Sequence, residues 1–369
     1  MAVLVWADLV HLLGNLEQVW DYYLYKAQTP AYESEWGVPC CLIRPEDNPY
    51  ILRYGVEAYW ALQIALPDWL FDLPKKDVFI LVSSAGTYVP EHKVHDIYFP
   101  QKTIASRAGA ALAREYGFNA GCLSMASTCA NDLAALYLAK HLIDDDHAEA
   151  VIVGTFAYNA NPRSTRALIK SGAISQTKEL SRSSCPWDIN RDGFVVSNGG
   201  SLLIVVKDEI ARDLGVTGLE PVEFGFSNDC LANPLVLTKE SIKEAIIRCL
   251  EAYSVKPDLI KAHGSGTRLN DSLESQALFA LFQNKVPVVS YKGVLGHSLG
   301  ACAGMELALL LKSVQEGYLL PNTNLEYRGL DIADIWLPTT FSRKDIEHAL
   351  ALNYGFGGIN CACLLRRVE

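Results

Sequence analysis

Cys129 lies in the run Ser127-Thr128-Cys129-Ala130-Asn131-Asp132, after the strand-like Cys122-Leu123-Ser124-Met125 and before an apolar stretch at 133–143 that reads as a helix. This order sets a thiol at a strand-to-helix turn, where unpaired backbone N–H groups and the helix dipole favour a thiolate and a developing oxyanion. Alone, such a cysteine is more often a small buried hydrophobe than a nucleophile. Two histidines shift that balance. His263 lies in Lys261-Ala262-His263-Gly264-Ser265-Gly266-Thr267, after the apolar Pro257-Asp258-Leu259-Ile260. His297 lies in Lys292-Gly293-Val294-Leu295-Gly296-His297-Ser298-Leu299-Gly300. Each is a histidine in a glycine-rich loop after a strand, where a rigid scaffold presents chemistry. Singly they read as satisfied loop residues. Together with the cysteine, and with glycines that let a ligand approach the backbone, they read as one nucleophilic site.

Further motifs share this order. Pro186-Trp187-Asp188-Ile189-Asn190-Arg191-Asp192-Gly193-Phe194-Val195 resembles the P-F-D-x-x-R-D-G-F-V stretch of the β-ketoacyl synthases, the decarboxylating condensing enzymes of fatty-acid and polyketide assembly. His263-Gly264-Ser265-Gly266-Thr267 with Asp271 and Glu274 resembles the family's H-G-T-x-T-x-x-x-D-x-x-E, and Lys292 with His297 its K-x-x-x-G-H. Leu352-Asn353-Tyr354-Gly355-Phe356-Gly357-Gly358-Ile359-Asn360 is similar to N-S-F-G-F-G-G-T-N, with the Gly-Phe-Gly-Gly core intact. The resemblance runs from about residue 78 to 365 and is looser before that.

The elements that must position these residues alternate. Short apolar runs at 78–82, 150–153, 201–206 and 286–289 are of the type buried sheets use, with Pro287 near the start of its strand. Residues 240–253 have helical spacing, with Ile242, Ala245, Ile246 and Leu250 on one side. Gly-, Pro-, Ser- and Asn-containing stretches, among them 161–164 and 176–186, read as loops. Two helices, 133–143 and 301–311, are apolar nearly all round, so each must be covered on more than one side. This is an α/β chain whose duplicated unit packs two buried helices face to face between two sheets. The resemblance implies the five-layered αβαβα thiolase-like fold. The halves divide near residue 215: 1–215 carries the cysteine, and 216–369 carries both histidines and the Gly-Phe-Gly-Gly loop.

Composition narrows the function classes. With 369 residues, half of them apolar, the chain can bury a large core. Lys plus Arg number 32 against 42 Asp plus Glu, a net charge of −10, which disfavours nucleic acid. The 10 cysteines form no disulfide framework and include no C-x-x-C pair, and H-E-x-x-H is absent, so no metal site is expected. No apolar span is long enough to cross a membrane, and a cytoplasmic location is expected.

The resemblance implies specific roles. Cys129 takes an acyl group from the phosphopantetheine thiol of an acyl carrier protein, with the N–H groups of Cys129 and Phe356 as its oxyanion hole. His263 and His297 support malonyl decarboxylation and stabilise the enolate, their division of labour left open. Lys292 is an organiser held by Glu274. Ser265 and Thr267 either hydrogen-bond the pantetheine arm or are ordinary loop hydroxyls. Gly357 and Gly358 belong to the substrate-binding loop. No bound cofactor is implied beyond the carrier's own arm. The implied partners are the carrier protein and a second subunit, either a copy of the chain or a related ketosynthase or chain-length factor. Departures at Asn131-Asp132, Ser197-Asn198, Ser265 and Arg268 point to a specialised type II synthase. Asp132 either faces the thiol and opposes its ionisation, or caps or pairs at the subunit interface. Two rival readings stand: a non-catalytic chain-length partner, which would typically lack the cysteine, and a non-decarboxylating acyltransferase, which would tolerate loss of the second histidine. Retention of Cys129, His263, His297 and Lys292 favours condensation.

Overall fold

The computed structural model describes every residue except 27, 44–50, 52–54, 86–103, 160, 161, 232, 234, 235 and 254. The apolar runs become strands of a 10-stranded sheet. These are β1 (Ala2–Val10), β2 (Val78–Ala85), β3 (Gly121–Leu123), β4 (Ala150–Ala157), β5 (Gly199–Lys207), β6 (Gly218–Asn228), β7 (Leu259–Lys261), β8 (Val288–Val289), β9 (His348–Gly355) and β10 (Ile359–Val368). Pro287 falls just ahead of β8, where its missing N–H breaks no ladder.

The strand order is β8-β7-β9-β10-β6-β1-β5-β4-β2-β3. One plan occurs twice in it. β1-β5-β4 are successive antiparallel neighbours, and β4-β2-β3 continue in parallel. β6-β10-β9 and β9-β7-β8 repeat that pattern. In the ladder, among the described residues, the two copies pair through Leu4 opposite Leu219, so it is two sheets touching along one edge.

Strand alternation assigns the layers. Six of the helices form the layers: α1 (Val56–Gln63), α2 (Arg107–Tyr116), α3 (Asn131–Asp144), α4 (Lys239–Leu250), α5 (Arg268–Phe282) and α6 (Cys302–Glu316). On β4, Val151 and Val153 share a core with Leu133 and Leu136 of α3, Leu307 and Leu310 of α6, and Ala349 and Ala351 of β9. The alternate residues Ala150 and Ile152 pack with Trp60 of α1 and Leu112 of α2. In the second copy Ile260, Leu350 and Leu352 face Ile242 and Ile246 of α4 and Leu278 of α5. The layers are therefore α1/α2, sheet, α3/α6, sheet and α4/α5, the thiolase-like αβαβα sandwich. Helices α3 and α6 are apolar all round because both of their faces meet a sheet. One local reading needs correction. Residue 161 lies outside the described residues, but Pro162–Lys170 is a helix rather than loop, with proline at the first position, where a missing N–H is harmless.

Asp132 decides how the two central helices meet. Its side chain is fully buried; Oδ1 accepts from Thr155 Oγ1 at 2.7 Å and Oδ2 from the backbone N–H of Gly304 on α6 at 2.8 Å. A Cβ on Gly304 would sit 2.3 Å from Ser201 Oγ and 3.0 Å from that carboxylate, so glycine leaves the room the approach needs. Asp132 thus faces neither the thiol nor a subunit interface; it pins α3 to α6. Burial outweighs both hydrogen bonds and pushes its carboxyl from 3.8 up to about 6.

With the folded value raised, Asp132 contributes stability in its protonated form, fully present below about pH 4 and lost as pH rises through about 6, a change of about 3 kcal/mol. Asp132→Asn should therefore flatten the fall in urea-melt stability across that window and leave the alkylation rate of Cys129 within about twofold. An unchanged slope together with faster alkylation would put the carboxylate beside the thiol instead.

Candidate active site

Cys129 sits in a short 3-10 turn, Thr128–Ala130, that leads directly into α3. Thr128 has φ 49, a left-handed conformation costly for a β-branched residue. Neighbours hold it there. A Cβ on Gly355 would lie 1.8 Å from Thr128 Oγ1 and 3.0 Å from the Cys129 nitrogen, so the end of β9 presses onto the N–H of the nucleophile. From the other side, Asn131 accepts from the Ser127 N–H at 3.0 Å and donates to Thr155 Oγ1 at 2.6 Å. Thr155 therefore anchors both Asn131 and Asp132, the pair that departs from the family pattern.

A cavity of ≈ 340 Å³ opens onto Cys129, His263, His297, Ser265, Thr267 and Phe356. Six of the residues singled out in the sequence thus share one space. Glu274, Lys292, Gly357 and Gly358 do not line it. Gly357 and Gly358 take φ 89 and 75 in the turn between β9 and β10, where they present Phe356 rather than touch the cavity. Ser265 and Thr267 are 3.0 Å apart, and Thr267 also caps α5 by accepting from the Asn270 N–H. The Trp187–Phe194 segment braces the wall: Arg191 pairs with Asp331 at 2.5 Å and Asp271 at 3.5 Å, and Phe194 lies edge-on to His297 at 4.9 Å.

Behind the histidines lies a buried charge network that contradicts one sequence expectation. Lys292 is not held by Glu274. Its Nζ pairs with Glu306 and donates to the His263 carbonyl at 2.8 Å. Glu274 instead accepts the backbone N–H groups of His263 and Gly264, both at 2.8 Å, and fixes the loop that carries the histidine. The resemblance implies a partner for Lys292, but α5 aims Glu274 at the loop backbone. Burial pushes its carboxyl up to about 7. Glu306 also binds Lys261, whose Nζ donates to Glu306 at 2.5 Å, to Asn353 Oδ1 at 2.6 Å and to the Leu352 carbonyl at 2.8 Å. Glu306, Lys261 and Asn353 were not singled out as site residues. The available signal was a carboxylate in an otherwise apolar helix, which must find a buried partner.

The network sets protonation. Burial alone would raise Glu306, but Lys261 and Lys292 outweigh it and hold the carboxyl below its ordinary value. Burial works against charge on Lys292, and Glu306 more than offsets it, leaving that lysine above its ordinary value. His263 is driven well below its ordinary value by burial, then by Lys292, His297 and Lys261, so it is neutral. Asn353 Nδ2 and Lys292 Nζ both approach His263 Nδ1, at 3.4 and 3.5 Å. Two donors at one nitrogen assign Nδ1 as acceptor and put the proton on Nε2. The thiol of Cys129 is held well below its ordinary value by a hydrogen bond from Cys302, which, with His297 and Lys292, outweighs burial. A thiolate can attack a thioester, and the neutral imidazole of His263, with its proton on Nε2, can donate to an enolate.

Glu306→Gln leaves two buried lysines without a counter-charge, and should cost about 3–5 kcal/mol at pH 7 in chemical denaturation. Because both lysines would then titrate below their unfolded value of about 10.4, the deficit should shrink as pH rises toward 10. A loss that is independent of pH would mean the carboxylate only fills space.

Two family models match the chain: "Beta-ketoacyl synthase, N-terminal domain" over residues 75–211 and "Beta-ketoacyl synthase, C-terminal domain" over residues 224–326. The tetracenomycin polyketide synthase ketoacyl synthase alpha subunit of Streptomyces glaucescens is 30% identical over 270 residues, covering 69% of this chain and 63% of that one. Among solved structures, a β-ketoacyl synthase from Burkholderia phymatum superposes with TM-score 0.86 at 21% identity, covering 100% of this chain and 99% of that one. A type II polyketide acyl-carrier protein in complex with its ketosynthase bound to the hexaketide gives TM-score 0.84 at 21% identity, with coverage of 100% and 99%. These superpositions establish the fold.

Proposed function

The chain belongs to the β-ketoacyl synthase family, and on that premise we propose that it condenses a Cys129-bound acyl group with a malonyl thioester carried by an acyl carrier protein. The observation that carries this reading is the convergence of Cys129, His263 and His297 on one cavity, with Lys292 and Glu306 behind them.

The reaction proceeds in two halves. The Cys129 thiolate attacks the acyl thioester; a new C–S bond forms to Cys129, the old one breaks, and the carrier sulfur leaves as a thiolate. The N–H groups of Cys129 and Phe356 stabilise the intervening oxyanion. The malonyl thioester then enters. Its carboxylate leaves as CO2, and the electron pair of the broken C–C bond becomes a thioester enolate. Neutral His263, with its proton on Nε2, donates to the enolate oxygen, and His297 is its partner on the same wall. The enolate carbon attacks the acyl-Cys129 carbonyl, Cys129 is expelled, and the carrier leaves with a β-ketoacyl chain two carbons longer. Ser265 and Thr267 line the entrance in positions that suit the amides of a pantetheine arm.

The finer assignments belong to the same reading. The specialised type II setting, in fatty-acid or polyketide assembly, follows the family matches. Ten free cysteines suit a reducing, cytoplasmic compartment. Among the described residues no helix is long and apolar enough to cross a membrane. A division into halves near residue 215 is supported by the strand plan restarting at Gly218. Dimerisation with itself or a related subunit is supported by β3, an edge strand whose Leu123 is 51% exposed.

Purified protein incubated with acyl- and malonyl-loaded carrier, followed by intact mass and CO2 capture, tests the reading. An acyl adduct on Cys129 and a product two carbons longer are expected. Acylation without CO2 would indicate an acyltransferase, and no acylation, with or without a related subunit, a chain-length partner. Cys129→Ala should abolish the adduct. His263→Ala and His297→Ala should each slow elongation by about 100-fold or more while slowing acylation less; equal, mild losses in both steps would remove the enolate role.

A further inference from the structure

The sequence gives no local metal-ligand spacing, but the fold assembles a donor set from separate segments. Cys129 comes from the turn before α3, while His297 and Cys302 lead into α6. Their ligand atoms, two Sγ and a ring nitrogen, all lie within 4.8 Å of one another, and the residues are 4%, 3% and 2% exposed. His297 Nδ1 is buried without a hydrogen-bond partner, so no neighbour fixes which ring nitrogen carries the proton. Cys302 touches no substrate in the proposed condensation, where it acts only through its hydrogen bond to Cys129. Its thiol lies 3.4 Å from the Cys129 carbonyl.

We propose that Cys129, Cys302 and His297 form a binding site for a zinc ion, whose fourth coordination position opens into the acyl cavity.

Two thiolates and one imidazole suit zinc, a borderline-soft ion that takes tetrahedral sulfur and nitrogen ligands. Zinc–sulfur bonds of about 2.3 Å and zinc–nitrogen bonds of about 2.0–2.1 Å bring such donors to roughly 3.5–3.8 Å apart, so the cluster must contract by no more than about 1 Å. Cys129 and His297 line the cavity, which supplies an entry path and room for water as fourth ligand. The charges weigh both ways. Lys261, Lys292 and Glu306 together leave one positive charge nearby, which opposes a dication; two thiolates cancel the charge of the ion itself. Binding expels any proton carried by either thiol, so affinity falls as pH is lowered. A zinc ion here withdraws the Cys129 sulfur and the His297 ring together, and so closes the site to acyl transfer reversibly.

The test uses reduced, chelator-treated, untagged full-length protein titrated anaerobically with cobalt(II) chloride, a spectroscopic substitute for zinc. One equivalent should produce a thiolate-to-cobalt charge-transfer band with tetrahedral d–d bands, which zinc chloride then removes. Zinc should also slow iodoacetamide labelling of Cys129, read by peptide mass, by at least about tenfold. Cys302→Ser and Cys302→Ala should weaken cobalt binding by about tenfold or more. X-ray absorption of the zinc-loaded wild type provides a check independent of variant folding, with two sulfur scatterers and nitrogen expected. No charge-transfer band, bands that persist in both variants, or a zinc shell without sulfur would overturn the proposal. None of these readouts depends on condensing activity, so the site stands or falls separately from the proposed reaction.

Discussion

A single carboxylate, Glu306, sets the electrostatics of the catalytic wall. It is completely buried, as are the two lysines it bridges, and removing it would strand two cations in a low-dielectric core. Lys261 and Asn353 hold it from the side of β7 and β9; Lys292 ties it to the segment that leads to His297. Lys292 also binds the His263 carbonyl, and Asn353 reaches the His263 ring, so a buried ion network places one histidine and keeps it neutral. A surface salt bridge has no such leverage, because solvent would screen it.

The duplicated plan explains why this network can exist. Helices α3 and α6 lie side by side between two sheets, so their N-terminal ends point to one place: Cys129 stands ahead of one and Cys302 starts the other. Asp132 locks that register through the Gly304 N–H, in space that glycine leaves free. The charge that would trouble a thiolate is thereby turned into the joint between the two central helices. The strain at Thr128 belongs to the same construction, with the end of β9 pressed against the turn that aims the nucleophile.

What the sequence reveals follows the range of each interaction. Apolar runs and all-round apolar helices are local patterns, and they correctly imply buried strands and a central helix layer. The Cys, His and His motifs are likewise local, and the cavity unites them. Pairings across the fold are less visible. The resemblance implies that Glu274 holds Lys292, yet Glu274 serves backbone N–H groups and Glu306, buried in an apolar helix, takes the lysine. Asp132 at a helix start invites readings at the surface or the thiol; its partners, Thr155 and Gly304, are distant in sequence. Cys302 is one thiol among 10 until the fold sets it against Cys129.

The Glu306 network fixes His263 as a neutral imidazole with its proton on Nε2. Nitrogen NMR of protein labelled with 15N-histidine, with the His263 signals identified by their loss in His263→Ala, measures this directly. An unprotonated Nδ1, a protonated Nε2 and no titration from about pH 6 to 8 are the expected result. A proton on Nδ1, or an imidazole that titrates near its ordinary value of about 6.5, would contradict the account.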